Sequence, residues 1–141
     1  MSAENCIFCS IAEGRIPAYK IYKDRYCIAI MDRYPGSKGH VLIIPNRHVE
    51  DIYGLAPEEA AAIMPLAQKI AHKMRDTLGM DGLNIIQNNG KAAGQEIGHF
   101  HLHLIPRYEN DGIRMFPKPT DPPLEELERL AGLLKIDTEN I

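Results

Sequence analysis

Long hydrophobic runs are missing from this chain of 141 residues. The longest, over residues 60–67, interrupts itself with Pro65 and falls far short of the roughly 20 residues that cross a bilayer. No basic residue precedes Arg15, and no long apolar stretch follows the start, so no secretory leader is expected. Cysteine is scarce: three, an odd number, which argues against a disulfide framework. Those three are left as core residues, metal ligands or reactive thiols. A large excess of one charge is missing too, with 16 bases against 19 acids and a net charge of −3. From Asp121 onward acids dominate, and the rest is nearly balanced. Neither part has the basic excess of a nucleic-acid surface. A soluble, cytoplasmic chain without membrane or nucleic-acid partners is the expectation.

What is present is ordinary globular composition, 45% hydrophobic and 25% charged. The length fits a single domain over 1–141, large enough for a core without staples. A short helix is expected over 6–13, stopped by Gly14. Strands are expected over 18–23, 26–32 and 40–44, the first two joined by a tight turn at Asp24-Arg25. Pro57-Glu58-Glu59 opens the longest helix, proline in its first turn and acids at the positive end of its dipole. Ile63, Leu66, Ala67, Ile70 and Met74 form its apolar stripe, Gly79 ends it, and Pro65 is expected to kink it. Strands over 83–87 and 99–105 follow, the last ended by Pro106. A final helix begins near Asp121-Pro122, with leucines at three- and four-residue spacing. Strands in succession around one inserted helix predict an α+β fold with a mostly antiparallel five-stranded sheet.

The chemistry concentrates in His99-Phe100-His101-Leu102-His103. In a strand the three histidines share one face, about 6.5–7 Å between next-but-one neighbours, while Phe100, Leu102 and Leu104 enter the core. A row of imidazoles suits metal binding or a nucleophile with acid–base help near neutral pH. The preceding Asn88-Asn89-Gly90-Lys91-Ala92-Ala93-Gly94-Gln95 is a glycine-bearing loop whose amides can approach an anion. It is not a P-loop, and by itself it reads as a plain connection, gaining weight only beside the three histidines.

Together with Gly39-His40-Val41-Leu42-Ile43-Ile44-Pro45, Asp32 with Pro35, Asn88 with Gly90, and Gly94-Gln95, this segment resembles the histidine triad (HIT) family. The resemblance covers about residues 4–108, leaving 109–141 as a C-terminal loop and helix. It implies a homodimer with joined sheets and a purine nucleotide ligand of the AMP type. It also implies nucleotidyl transfer through a covalent histidine intermediate. By the same resemblance His101 is the nucleophile that attacks the α-phosphorus, and His103 and His40 orient and polarise the phosphate and leaving group. Asp32 is implied as the ribose ligand, and Asn88, Gln95 and the backbone of Gly94, Gln95, Glu96 and Ile97 as phosphate ligands. Glu96 departs from the serine of the phosphoramidase branch, and a carboxylate there repels phosphate unless it turns outward. The Ile105-Pro106-Arg107 ending looks more like bacterial or archaeal members and the dinucleoside polyphosphate branch.

Cys6-Ile7-Phe8-Cys9 reads by itself as either a core helix with two buried thiols or half of a metal site. Zinc-bearing family members imply the second, with His48 and His99 completing a closed structural zinc site of two thiolates and two imidazoles. Cys27 is expected in the core and His72 on the surface. The expected activity is hydrolysis of nucleoside 5′-phosphoramidates, the alternatives being dinucleoside polyphosphate hydrolysis or a nucleotide-binding module. Activity is expected to fall as the pH drops through roughly 6.5, the unperturbed histidine value.

Overall fold

The computed structural model describes residues 3–137. Its backbone divides into two compact units, residues 1–111 and 112–141. In the first, α1 (Ile7–Ala12) precedes strands β1 (Lys20–Lys23), β2 (Cys27–Met31) and β3 (Val41–Pro45). Helix α2 (Pro57–Leu78) then leads to β4 (Gly82–Ile86) and β5 (Leu102–Arg107). The five strands form one sheet in the order β1-β2-β3-β5-β4, every pair antiparallel. The α+β expectation holds.

Alternation along the strands sends side chains to two separate cores. Cys27, Ala29, Val41, Ile43, Leu102 and Leu104 face the stripe of Ile63, Leu66, Ala67 and Met74 on α2, with Phe100 in the same cluster. On the other side, Ile28, Ile30, Leu42 and Ile44 pack with Cys6, Phe8, Cys9 and Ile11 of the N-terminal segment. Cys27 is fully buried, as expected, and burial pushes its thiol up to about 12. His72 is exposed.

Local chemistry explains the boundaries. Asp24 Oδ1 accepts from the amides of Tyr26 and Cys27 (2.7 and 2.9 Å), which closes the β1–β2 turn. At the start of α2, Glu59 Oε1 accepts from the Ala56 amide at 2.9 Å, covering one of the unpaired first-turn donors. Gly79 ends α2 at φ +65°, a left-handed position where glycine carries no Cβ penalty. The helix runs on through Pro65, which is exposed, so water reaches the carbonyl that proline leaves unpaired.

The last strand differs from expectation at both ends. It begins at Leu102, because residues 99–101 are held from outside the ladder: the Phe100 amide donates to Val49 O at 2.7 Å. It also runs through Pro106 to Arg107. The β3 pairing stops at Leu104, and Ser37 Oγ donates to Pro106 O at 2.7 Å. The proline therefore lacks its N–H on a side where no strand needs one.

The second unit holds α3 (Leu124–Leu134), whose leucines at 124, 127, 130, 133 and 134 are exposed. Among the described residues no helix is long and apolar enough to cross a membrane.

Candidate functional site

Two histidine clusters lie side by side. The first gathers Cys6 and Cys9 from α1 and its N-cap, His48 from the turn after β3, and His99. Cys9 Sγ is 3.2 Å from His48 Nδ1 and 3.4 Å from His99 Nδ1, and Cys6 Sγ is 3.3 Å from His99 Nδ1. Four ligands around one tetrahedral zinc stand about 3.5 Å apart, given metal–ligand bonds of about 2.0–2.3 Å. The cluster thus has the dimensions of a metal site. Its tautomers fit as well. His99 Nε2 donates to Pro45 O at 2.9 Å, which leaves the Nδ1 lone pair facing the two sulfurs. Burial, then the neighbouring Cys6, pushes the Cys9 thiol up to about 11, so a cation is what would make Cys9 a thiolate at neutral pH.

The second cluster holds Asp32 after β2, His40 before β3, and His101 and His103 at the start of β5. His101 Nδ1 donates to the carbonyl of His99 at 2.7 Å. That bond fixes the tautomer and leaves Nε2 with a free lone pair. The rings of His101 and His103 lie 4.8 Å apart at 66°. His40 Nε2 meets His103 Nδ1 at 2.9 Å and Asp32 Oδ2 at 3.5 Å. Asp32 Oδ1 accepts from the Tyr34 amide at 2.9 Å. Phe8, placed between the two cysteines, packs edge-on to His99 and His101 with centroids at 5.9 and 5.1 Å.

Burial dominates the electrostatics. It lowers the pKa of His101, against the opposing pull of the His99 carbonyl and Asp32. His40 is lowered by burial too, with Asp32 opposing. His103 falls to about 4, from burial first and then from His101 and His40. The site is built of neutral imidazoles at physiological pH.

The domain indicated by this pair of clusters matches a known family model, described as HIT domain, over residues 13–110. The chain belongs to the HIT family. A HIT family protein from Bacillus anthracis has the same fold, with a TM-score of 0.88 and 42% identity over 94% of this chain and 96% of that one. A zinc-bound histidine triad family protein from Mycobacterium smegmatis superposes with a TM-score of 0.75 and 39% identity, covering 92% of this chain and 91% of that one. "Adenosine 5′-monophosphoramidase HNT1" of Saccharomyces cerevisiae is 40% identical over 109 residues, 77% of this chain and 66% of the relative.

The loop before the triad is braced by hydrogen bonds of its own. Gln95 Nε2 donates to Glu50 O (2.7 Å) and Ile97 O (3.1 Å), and its Oε1 accepts from the Gly90 amide (2.8 Å). Both carboxamide hydrogens are thus engaged by main-chain carbonyls. The amides of Gly94 and Gln95 also turn inward, to Lys91 O and Gly90 O. Gly90 and Gly94 sit at φ +87° and +88° with open space where a Cβ would be, so the turn itself requires glycine there. The amides of Glu96 and Ile97 make no hydrogen bond among the described residues, nor does the Asn88 carboxamide. Glu96 is exposed.

Three residues escaped the sequence reading. Phe8 passes there as one more apolar helix position. Glu59 reads as a first-turn acid, yet it is buried and takes a two-pronged bond from Arg47, the residue before His48 (2.7 and 3.3 Å). Gly36 reads as a turn residue, and its amide donates to His40 Nδ1 at 3.0 Å.

Proposed function

We propose that the chain hydrolyses purine nucleoside 5′-phosphoryl derivatives, phosphoramidates first among them, through a nucleotidyl-His101 intermediate. One observation carries this reading: the His101 Nδ1–H bond to the His99 carbonyl, which leaves a neutral Nε2 lone pair beside His103. In the first step His101 Nε2 bonds to the α-phosphorus, the phosphorus–nitrogen bond breaks, and the amine leaves with its electron pair and gains a proton. Positive charge on the modified imidazole is stabilised by the His99 carbonyl. Water then cleaves the phosphorus–Nε2 bond, releasing the nucleotide and a proton. His103 polarises the phosphate and leaving group, and His40, buried, acts through His103. Asp32 holds the ribose hydroxyls, Asn88 and the amides of Glu96 and Ile97 hold phosphate oxygens, and Gly94 and Gln95 shape the loop that presents them.

The phosphoramidate preference is supported by the name of the yeast relative and by Arg107. A polyphosphate leaving group needs free positive charge beyond the α-phosphate. Arg107, the basic residue nearest the triad in sequence, is bound to Asp111 and Asn84 instead. Cys6, Cys9, His48 and His99 hold a structural zinc in this reading, fixing the N-terminal segment against the catalytic residues. A second copy of the chain joins at the open edge of β4, where Ile85 is exposed; size-exclusion chromatography with light scattering should give twice the chain mass.

The deciding experiment is a phosphorus NMR competition with adenosine 5′-phosphoramidate and diadenosine tetraphosphate in one tube. Faster loss of the P–N resonance is expected. Faster loss of the polyphosphate would move the assignment to that substrate, and consumption of neither would leave a nucleotide-binding module.

A further inference from the structure

Resting on nucleotidyl transfer at this site, we infer that the Gly36 amide is a positioning group that acts through His40 to keep the proton of His103 on Nε2. His103 then offers the reacting group a neutral N–H donor. The argument is one of hydrogen-bond polarity. The Gly36 amide can only donate, so His40 Nδ1, at 3.0 Å, accepts and carries no hydrogen. A neutral imidazole bonded in this way has its hydrogen on Nε2. That nitrogen is 2.9 Å from His103 Nδ1, nearer than the 3.5 Å to Asp32 Oδ2. His103 Nδ1 is therefore the acceptor, and the one hydrogen of neutral His103 sits on Nε2.

The chain has a direction: Gly36 amide to His40, His40 to His103, His103 outward. A second proton has no comfortable place on it. On His103 Nδ1 it would face the His40 N–H at 2.9 Å, and on His40 Nδ1 it would face the Gly36 amide. The titratable groups facing His103 are His101, His40 and Asp32. The same polarity disqualifies a different reading of these residues. Asp32, His40 and His103 bring three possible ligand atoms within 4.8 Å of one another. The lone pair that His40 Nε2 would need for a metal is occupied by its hydrogen.

The chemical consequence concerns the leaving group. A neutral imidazole N–H stabilises charge that builds up on phosphoryl or leaving-group oxygen without surrendering its proton. An oxygen leaving atom departs as the anion with the electron pair of its bond to phosphorus, whereas a phosphoramidate nitrogen takes a proton from water as that bond breaks and leaves as the neutral amine. Oxygen-linked substrates are then sorted by the basicity of the group they expel.

Two measurements test this. Long-range proton–nitrogen correlation on the 15N-labelled protein at pH 7 reads the tautomer of each histidine. Hydrogen on Nε2 is expected for His40 and His103, and on Nδ1 for His101. Gly36→Ala keeps the amide, and its Cβ meets only His40 Nδ1, at an ordinary 3.7 Å, so its spectrum should match the parent. Gly36→Pro lacks the amide hydrogen and should give His103 a mixture of tautomers. Hydrogen on Nδ1 of His103 in the parent protein, or a proline variant indistinguishable from the alanine one, would overturn the inference. Should the proline variant not fold, the parent spectrum still decides. With aryl esters of AMP, kcat/KM should fall on the order of 100-fold or more from nitrophenyl to phenyl, the contribution that a proton-transferring acid would otherwise supply. A flat series would overturn the neutral-donor role. Turnover of no ester would overturn nucleotidyl transfer alone, with the tautomers still readable.

Discussion

Acidification from pH 8 to pH 5 should leave the chemistry of the folded protein nearly intact while eroding its stability. His103 carries the calculation. With an unperturbed pKa of about 6.5, only about 3% of an exposed histidine is neutral at pH 5. With the pKa of about 4 that burial imposes on His103, about 90% is still neutral there. His101 is shifted in the same direction, so the acid limb of kcat/KM should lie below 6.5 and not through it. Stability moves the other way. The folded chain disfavours the protonated form, so the unfolded chain binds more protons once the pH falls below about 6.5. For His103 alone the loss at pH 5 is about 2 kcal/mol, from the same two pKa values. Urea titrations and kcat/KM should be measured at half-unit steps, with activity normalised to folded protein. A limb centred at 6.5 with about 30-fold loss at pH 5 would refute the burial argument.

His101→Ala should abolish turnover and leave nucleotide affinity by calorimetry largely unchanged; substantial residual turnover would exclude the covalent step. Cys6→Ser with Cys9→Ser should eliminate bound zinc by atomic emission and lower both the thermal midpoint and the activity. Full retention of midpoint and activity would show that the cluster fixes nothing. Glu59→Ala removes a helix-capping acceptor and the anchor of Arg47 together, and should cost about 1–2 kcal/mol in urea denaturation; no change would mean that water replaces both.

The fold was legible where one physical period dominates. The stripe on α2 and the alternation in β2 and β3 appear in the letters because each element buries a single face on a given partner. The start of β5 was not legible, since alternation in His99-Phe100-His101 looks the same whether or not the backbone is paired. Only Val49, far off in sequence, decides it. The histidines and the CxxC pair were visible because few other roles call for those residue types. For Gln95 the letters leave two roles open: a carboxamide serves as phosphate donor or as loop brace, and its bond to Glu50 O is visible only in the fold. Gly36 was invisible because what it contributes is a main-chain amide, which every residue but proline also has.

The separation in sequence between Cys6 and His99, 93 positions, carries a consequence for how the molecule is made. Helix α1 has six residues, too few to persist on its own in water, where about 12–15 are needed for even marginal stability. It is held by the apolar side chains of β2 and β3 and by the cluster it forms with His48 and His99. Its apolar partners on β2 and β3, and His48, follow within about forty residues, whereas His99 is translated only after α2 and β4. The helix can therefore dock on the sheet before its cysteines meet their fourth neighbour, and the cluster closes only with the segment that leads into the final strand.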